Sequence, residues 1–461
     1  MGMYEIVKEL GAKLILPSDT EQYEEKRQIW NSAIDNQPVA IVLCENDQDV
    51  VAAVKLAKAH NWSVSIKSGG HHLAGFAVGE GSLVLDMSKM KDIHVNVGLK
   101  TVEVASGVKS GELTAETQKF NLAVPLGTAS DTGVFGVALG GGIGYLRGVH
   151  GLTCDNILGA TIVTAEGEIL EVNETNHPDL LWAIRGGGGN FGVVTKLIFQ
   201  AYEVGPEVLA FDVLYGFEDA KQVFTNVQHY MKQAPNESVA VNLAVAILPP
   251  APTLPEFLHF KKVIMVLGMY AGDVKDGERN IQPLRELAKP IVDQTAIIPY
   301  VQLQQKLDAT TPPRANCYGT SLFFDELSED AWEVLIEQVH AAPTPSIILQ
   351  LWTLGGKMNE VTADESAFAI RDAKWALLVD ALAMSGEDEA CQTWTQLLYE
   401  NLLPFSQQKA SYLNAFCPTS DATANAFQQN FTRLAQVKKQ YDPTNLFRNN
   451  HTIEVTESVL K

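Results

Sequence analysis

Two adjacent glycines followed by a histidine form the first stretch that could do chemistry: Ser68, Gly69, Gly70 and His71. Glycine adopts backbone conformations that other residues avoid, so consecutive amide N–H groups can turn inward on a phosphate. The histidine directly follows that turn. The alternative explanation is a plain surface turn beside a solvent-exposed histidine, and the rest of the sequence has to decide between the two.

A second concentration of glycine follows at residues 127–136 and 140–144. Each glycine in regular structure costs roughly 0.5–1 kcal/mol relative to alanine. A fold keeps such residues where the backbone must approach something closely. That partner is either a bound group or, as the alternative, a helix packed tightly against a sheet.

A third glycine run, residues 186–192, contains the spacing Gly-x-Gly-x-x-Gly. The nicotinamide-binding fingerprint requires a strand before these glycines and a helix after them. Here the pattern predicts a helix that starts at Pro178, then the glycines, then a strand over residues 193–199. We therefore do not expect a nicotinamide site, and no Gly-x-x-x-x-Gly-Lys-Ser/Thr phosphate loop is present to suggest an NTPase.

Alternating and continuous apolar runs predict the elements that position these glycines. Asn46 or Asp47 is expected to cap the first of the helices. Strands are predicted over residues 38–44, 63–67 and 82–87, hairpins over 93–104 and 156–172, and helices over 47–59 and 113–120.

The glycine content falls after about residue 205, and longer helical patterns appear. Phe427, Phe431, Leu434, Val437 and Tyr441 then form one helical stripe near the end. In the middle, helices are predicted over residues 220–231, 280–287 and 330–339, strands over 240–245, 263–267 and 347–352, and a loop over 248–252. This middle part is predicted to be a second domain, with a sheet backed by helices.

Composition limits the partners. The 461 residues carry a formal charge of −21, which disfavours nucleic acid and anionic membranes, since both need clustered lysine and arginine. No run approaches the roughly 18 apolar residues of a transmembrane helix, and the start has no secretory signal pattern. The five scattered cysteines indicate reduced thiols in a cytoplasmic protein and no metal site.

Five motifs in this order resemble the flavoprotein oxidases of the vanillyl-alcohol oxidase superfamily. Within it the sequence most resembles the berberine-bridge-enzyme-like group and the bacterial 6-hydroxy-D-nicotine oxidases. The motifs are residues 67–71, 140–144, 151–156, 187–195 and 441–448. The resemblance covers nearly the whole chain and is strongest over 36–202 and 426–453.

The resemblance implies an α+β fold with two kinds of domain. Residues 1–205, with a core of about 36–202, would form a PCMH-type FAD-binding domain of two α/β subdomains, to which 406–461 return. Residues 206–405 would form a substrate domain with an antiparallel sheet over the flavin ring. The expected FAD-binding residues are His71, as the covalent link, with Lys67, Ser68, Gly69, Gly70, His72, Gly75, Gly127, Thr128, Thr132, Gly133, Gly136, Gly141, Gly142, Gly144, Asn190, Gly192, Val193, Val194 and Asn450.

Two positions depart from the pattern of the family. Many berberine-bridge-like enzymes make a second flavin link through a cysteine, where this sequence has Ala129. A single link, to His71, is therefore expected. The Tyr-x-Asn-Tyr motif of the family ends here in Ala415, so one phenol is missing beside Tyr412 and Asn414.

Candidate catalytic groups on the substrate side are Tyr412, Asn414, Gln350 and Asp380. Asp380 is a carboxylate within an apolar run, and burial there would raise its pKa and suit it to proton transfer. The alternative is an aspartate at the end of an element, facing water. If the run around Tyr412 is extended, it shares a face with Asn414.

The resemblance implies hydride transfer from a small organic substrate to flavin N5, with molecular oxygen reduced to hydrogen peroxide. The strand residues of the middle domain favour an apolar pocket for an amine, alkaloid or alcohol over a sugar. A sugar oxidase, a dehydrogenase that uses another acceptor and a non-catalytic binding protein remain alternatives. The protein is expected to be a monomer or a homodimer.

Overall fold

The computed structural model describes residues 10–233, 238–248, 256–308, 315–416 and 422–455. Cys417 and all but Leu248 of the predicted loop 248–252 lie outside the described residues. Within the described part, no helix combines the length and apolar character that crossing a bilayer requires.

The strands alternate with helices along the first part of the chain. In chain order they are β1 (Leu14–Ile15), β2 (Ala40–Leu43), β3 (Val64–Lys67), β4 (Leu83–Asp86), β5 (Ile93–Asn96), β6 (Thr101–Ala105), β7 (Leu122–Ala123), β8 (Ile157–Val163), β9 (Ile169–Val172), β10 (Val193–Gln200) and β11 (Tyr202–Glu203). The later strands are β12 (Glu207–Gly216), β13 (Val239–Ile247), β14 (Lys262–Tyr270), β15 (Val292–Asp293), β16 (Ala296–Pro299), β17 (Asn316–Phe324), β18 (Ile347–Thr353) and β19 (Trp375–Ala383).

The α-helices of the described residues vary from one turn to four. Those before residue 205 are α1 (Thr20–Arg27), α2 (Asp47–His60), α3 (Ser110–Gln118), α4 (Val134–Leu139), α5 (Arg147–His150) and α6 (Pro178–Ile184). After it come α7 (Ala220–Gln233), α8 (Val274–Arg285), α9 (Tyr300–Gln304), α10 (Glu329–His340), α11 (Lys357–Glu360), α12 (Asp388–Leu402), α13 (Ala422–Phe427) and α14 (Phe431–Tyr441).

Two sheets hold the glycine-rich segments. The first has the strand order β1-β2-β4-β3, with β4 parallel to both β2 and β3. Asn46 caps α2 by accepting from the amides of Gln48 and Asp49, as predicted. The second sheet is antiparallel, in the order β5-β6-β10-β8-β9, and contains both predicted hairpins. The glycine turn at residues 68–70 leaves directly from the end of β3.

The third sheet is antiparallel and, among the described residues, has eight strands in the order β15-β12-β14-β13-β18-β19-β17, with β16 also paired to β12. One face packs against helices: Leu349, Leu351 and Leu377 share a core with side chains of α7, α8, α10 and α12. The opposite face turns Trp352 and Leu378 toward the glycine-rich part. The predicted fold class, α+β with an antiparallel sheet backed by helices, is confirmed.

The last helix joins the first part of the chain. Leu434 and Val437 of α14 share one core with Leu180, Leu181 and other residues of the glycine-rich part. This packing agrees with a C-terminal segment that returns to the first domain, although the domain boundaries at 205 and 405 stay a prediction.

Two predicted helices have different limits in the structure. The stripe from Phe427 to Tyr441 is interrupted, because Gln428 has a φ of 44° and starts a 3₁₀ turn over Gln428–Asn430. The helix predicted at 280–287 is α8 and begins earlier, since the Asp273 side chain caps it by accepting from the amide of Lys275. A helix start depends on such a local cap more than on the apolar stripe.

A fully buried ion pair fastens α14 to the third glycine run. Lys438 Nζ lies 2.6 Å from Asp442 Oδ2, and neither side chain is exposed. The same ammonium donates to the carbonyl of Asn190 at 2.8 Å and to that of Phe447 at 3.1 Å. Asp442 in turn accepts from two backbone amides. The pair therefore ties three chain segments together.

We predict that Lys438→Met lowers the free energy of unfolding by about 3–5 kcal/mol, because it leaves the Asp442 carboxylate buried without its counter-ion. Lys439→Met is the matched control: Lys439 is the exposed neighbour on the same helix, and its loss should change stability by less than about 0.5 kcal/mol. Chemical denaturation of both variants measures the difference. Equal stability of the two would contradict this account of the ion pair.

Candidate active site

A cavity of about 380 Å³ lies where the glycine-rich segments face β18 and β19. Ten of its lining residues are glycine, and the sheet contributes Gln350, Trp352, Leu378 and Asp380. Most of the other lining side chains are apolar. A concave, mainly apolar surface with a few polar groups is the usual form of a ligand site.

Most of the residues predicted to bind the cofactor line this cavity. They are Ser68, Gly69, Gly70, His71, His72, Thr128, Thr132, Gly133, Gly136, Asn190, Gly192, Val194 and Asn450. The predicted residues Lys67, Gly75, Gly127, Gly141, Gly142, Gly144 and Val193 are not among the lining residues. The ammonium of Lys67 donates to the carbonyls of Lys26 and Gln28, which is a structural contact.

Close packing explains some of the glycines. A Cβ on Gly69 would lie 2.3 Å from the amide nitrogen of Gly133, so the first two glycine segments touch backbone to backbone. Gly140 lies under Asn414, where a Cβ would come within 1.9 Å of the side-chain oxygen. Close approach to other parts of the chain therefore accounts for these two glycines, although neither contact is the helix-on-sheet packing considered for the second glycine segment.

Gly136 has a different explanation. It lies inside α4, where glycine costs about 1 kcal/mol relative to alanine, yet an added Cβ would meet no protein atom within 4 Å. Gly136 is exposed and lines the cavity. A helix keeps such a glycine when a ligand must lie against its backbone, so the residues present fit a bound flavin nucleotide.

We predict that Gly136→Ala retains or raises the stability of the protein without flavin but weakens flavin binding about tenfold to a hundredfold, since a methyl group in a filled site costs about 1–3 kcal/mol. Titration with FAD of protein produced under riboflavin limitation, followed by fluorescence quenching, tests the affinity, and chemical denaturation of the same flavin-free protein tests the stability. Gly355→Ala is the control, because its Cβ would also meet no atom and Gly355 does not line the cavity. An unchanged FAD affinity in Gly136→Ala would refute this role.

His71 lies between a carboxylate and an indole. Its Nε2 atom is 3.0 Å from Asp131 Oδ2. The Trp30 ring stacks on the imidazole with centroids 5.7 Å apart and planes inclined by 21°. His71 is thus held in one orientation at the edge of the cavity.

His72 and His451 form a second imidazole pair in the cavity wall. His72 Nδ1 accepts from the amide of Ala74, so its Nε2 carries the proton and donates to the carbonyl of Leu413 at 2.8 Å. His451 Nε2 lies 2.8 Å from the same oxygen. Burial lowers the pKa of His72 to about 4 and that of His451 to about 3, so both rings are neutral at physiological pH.

Asp380 projects from the cavity face of β19. The strand alternates, so Leu377 and Val379 enter the helix-covered core while Leu378 and Asp380 face the cavity. Burial raises the pKa of the Asp380 carboxyl to about 6, although the Cys317 thiol donates to it at 3.8 Å. Among the described lining residues it is the sole carboxylate. The alternative of an aspartate facing bulk water is therefore wrong.

The polar candidates Gln350 and Asn414 differ in how many of their amide hydrogens are already used in hydrogen bonds. Gln350 lines the cavity, with its amide oxygen held by the indole N–H of Trp352 at 3.0 Å. Asn414 also lines it, but both of its amide hydrogens are used, toward the carbonyl of Val137 and the hydroxyl of Tyr412.

Tyr412 does not line the cavity. Its buried hydroxyl accepts from the amides of Gly142 and Ile143 at 3.0 and 3.3 Å, which fixes the second glycine segment. Its pKa is raised by burial, although these bonds oppose the shift. The extended run that would place Tyr412 and Asn414 on one face is not found, because Leu413–Ala415 is a 3₁₀ turn. The observed contacts of the Tyr412 hydroxyl are structural, and its role in catalysis stays a prediction.

Several residues of the site were missed in the sequence. Asp131 stands within the second glycine segment and is a polar residue that this context could have indicated. Trp30 and His451 gave no local signal, since they reach the cavity from distant parts of the chain. Asn31 was also missed: its amide donates to the carbonyls of Leu73 and Cys317, which joins the first glycine turn to β17.

Comparison with known families matches two parts of the chain. Residues 38–173 match the FAD binding domain family, and residues 398–454 match the family described as berberine and berberine like. The first match contains the glycine turn with His71 and the Gly136 helix. The second contains α13, α14 and His451.

Full-length relatives agree. An FAD-linked oxidoreductase of Dictyostelium discoideum is 32% identical, with 98% of each chain covered. The solved structure of 6-hydroxy-D-nicotine oxidase from Arthrobacter nicotinovorans is 26% identical, with a TM-score of 0.84 over 97% of this chain and 98% of that one.

A third relative, glucooligosaccharide oxidase from Acremonium strictum, shares the fold. Its structure has a TM-score of 0.86 at 22% identity, covering 99% of this chain and 100% of that one, and its cofactor is a 6-S-cysteinyl, 8α-N1-histidyl FAD. With the cavity and the two family matches, these findings show that the chain belongs to the berberine-bridge-like FAD-linked oxidoreductases of the vanillyl-alcohol oxidase superfamily.

Proposed function

We propose that this protein is an oxidase that holds FAD through one covalent bond, at His71, and oxidises a small organic amine or alcohol. The observation that carries the proposal is that His71, in the loop after β3, and Asp380, on β19, line the same cavity. His71 has the residue type and the sequence position that the family resemblance assigns to the flavin link. Asp380 is a carboxylate whose pKa, raised to about 6, suits a general base.

The argument for a single bond rests on what lies beside His71. Ala129 lines the cavity at the position where the doubly linked members of the family have cysteine, and it has no thiol to offer. The described cysteines Cys44, Cys154, Cys317 and Cys391 are buried and do not line the cavity. Burial also raises the pKa of Cys154 well above its usual range, which suppresses the reactive thiolate.

The residues of the chain have separable roles. Bound FAD would supply the redox chemistry, as acceptor of a hydride from the substrate and donor of electrons to oxygen. Asp380 would take the proton of the substrate amine or alcohol, which it can do when ionised, above a pH of about 6. Gln350 would orient the substrate through the amide hydrogens that its bond to Trp352 leaves free.

The lining of the cavity favours an apolar substrate. Trp352, Leu378 and Phe427 present apolar surface, and Ala415 replaces the second tyrosine of the family motif with a methyl group. These side chains suit an aromatic amine, an alkaloid or a benzylic alcohol better than a polyol, which needs many hydrogen bonds in a buried site.

A sugar is the second candidate. The glucooligosaccharide oxidase shares the fold, and the Trp352 indole in the cavity could stack on a sugar ring. The small number of free polar side chains in the cavity counts against a sugar substrate. An oligosaccharide would also need an open cleft to admit its further units.

The test is anaerobic reduction of the bound flavin by a panel of heteroaromatic amines, benzylic alcohols and oligosaccharides, followed by admission of air and assay of peroxide. We expect bleaching by members of the first two groups and peroxide close to one equivalent per turnover. Bleaching by oligosaccharides alone would identify a sugar oxidase. Bleaching without peroxide would indicate a dehydrogenase, and no bleaching by any compound would favour a binding protein.

A further inference from the structure

We propose that Asp131 prepares His71 for attachment of the flavin, by holding the ring proton on Nε2 so that Nδ1 is free to form the bond. The relative glucooligosaccharide oxidase has an 8α-N1-histidyl link. The inference rests on the covalent link proposed above and goes beyond it by naming the residue that prepares the imidazole. Asp131 would be a positioning residue, since it acts on the imidazole and does not line the cavity itself.

The hydrogen bond between the two side chains selects the tautomer. An ionised carboxylate can only accept, so the 3.0 Å contact between Asp131 Oδ2 and His71 Nε2 places the ring proton on Nε2. The lone pair available for bond formation is then the one on Nδ1. Stacking against Trp30 restricts rotation of the ring, so that this atom keeps its direction.

Asp131 is itself held in place and charged. Its turn is fixed by the Thr132 hydroxyl, which donates to the carbonyl of Ala129, and by Ser130, whose amide and hydroxyl both donate to Asp308. Burial opposes ionisation of Asp131, but the hydrogen bond from His71 keeps the pKa of Asp131 below the usual range. Asp131 Oδ1 is buried and has no hydrogen-bond partner among the described residues. Its charge is therefore directed at the imidazole.

The attachment balances with oxygen as the oxidant. One bond forms between Nδ1 and the 8α carbon of the flavin, and one C–H bond of that methyl group breaks. The methyl group and Nε2 each lose one proton, and two electrons leave with them. Oxygen, the oxidant of the proposed function, takes up both electrons and both protons as hydrogen peroxide. Asp131 would stabilise the positive imidazole during bond formation and receive the Nε2 proton.

The experiment compares wild type with Asp131→Asn, Asp131→Leu and the control Asp308→Asn. Asp308 accepts two hydrogen bonds from Ser130 on the same turn, so the Asp308→Asn variant reports on the order of this turn. Each protein is produced under riboflavin limitation and then given FAD in air. Rapid FAD binding is followed by fluorescence quenching, and covalent attachment by the flavin that remains with acid-precipitated protein.

We expect Asp131→Leu to bind FAD within about threefold of wild type but to attach it at least about tenfold more slowly, with Asp131→Asn in between and Asp308→Asn near wild type. Asparagine can still accept from Nε2 but carries no charge. Heteronuclear NMR of the wild-type flavin peptide, labelled at histidine, should show substitution at Nδ1.

Four results would overturn the inference. One is attachment by Asp131→Leu at the wild-type rate, and another is a wild-type link through Nε2; either leaves the proposed oxidase intact. The third is slowed attachment in Asp131→Leu that is matched by an equal loss of rapid FAD binding, which would make Asp131 merely structural. Absence of any covalent flavin in wild type would defeat this inference together with the covalent part of the proposed function.

Discussion

Asp380→Asn is expected to lower kcat by about 10²–10⁴-fold, the usual contribution of a positioned general base. The wild-type kcat/KM should rise with pH through about 6, where the Asp380 carboxyl ionises, and this rise should be absent in the variant. Steady-state peroxide formation with the substrate identified by flavin bleaching, measured from pH 5 to 8, gives both results. The same rise in Asp380→Asn would show that another group is the base.

Asp372→Asn is the matched control, since Asp372 is exposed and lies shortly before the same strand. It should retain wild-type turnover and pH dependence.

The pH dependence of stability provides a second readout for Asp380. The pKa of Asp380 in the folded protein is raised to about 6, above its ordinary value of 3.8. The native state therefore keeps the proton to a higher pH than the unfolded chain does, and the free energy of unfolding falls as the pH rises from about 4 to about 6. Asp380→Asn should therefore be more stable than wild type by about 1–3 kcal/mol at pH 8.

His71→Ala should abolish covalent attachment while it retains the fold and binds FAD reversibly, because the glycine segments supply much of the remaining contact. Turnover with saturating FAD should fall by about tenfold or more, equivalent to about 1.4 kcal/mol in the barrier, since an unlinked flavin is a weaker electron acceptor and is less firmly placed. The measurements are flavin release on acid precipitation and the rate of anaerobic flavin reduction.

His72→Gln is the control for this variant. Glutamine retains a donor that can reach the carbonyl of Leu413, which His72 contacts in the native protein. Covalent flavin should persist in His72→Gln. Loss of covalent flavin in His72→Gln, together with its retention in His71→Ala, would assign the link to His72 and overturn the role given to His71.

Local patterns in the sequence predicted the elements well. The apolar run that contains Asp380 predicted a carboxylate whose pKa burial would raise, and the run is a strand with Asp380 facing the cavity. The reversed order of helix, glycines and strand around residues 186–192 correctly argued against a nicotinamide site, since α6 precedes the run and β10 follows it. Strand periodicity and helix order are local properties, so the sequence alone carries them.

What could not be predicted depends on contacts between distant segments. Tyr412 satisfies amides some 270 residues earlier in the chain, and no local pattern reveals that its hydroxyl is already used. Asp131 and His71 lie 60 positions apart and meet because the first two glycine segments touch. Gly136 and Gly69 look alike in sequence, yet one leaves open space at the cavity and the other packs against backbone.

The most direct test of the central claim is mass spectrometry of the tryptic digest of acid-precipitated protein. Cleavage after Lys67 and Lys89 yields a peptide, residues 68–89, that contains both His71 and His72. The account predicts one flavin mass on this peptide, with fragment ions that place it on His71, and no flavin on the peptides that contain the five cysteines. Complete release of the flavin into the acid supernatant, or a flavin adduct on any cysteine peptide, would contradict it.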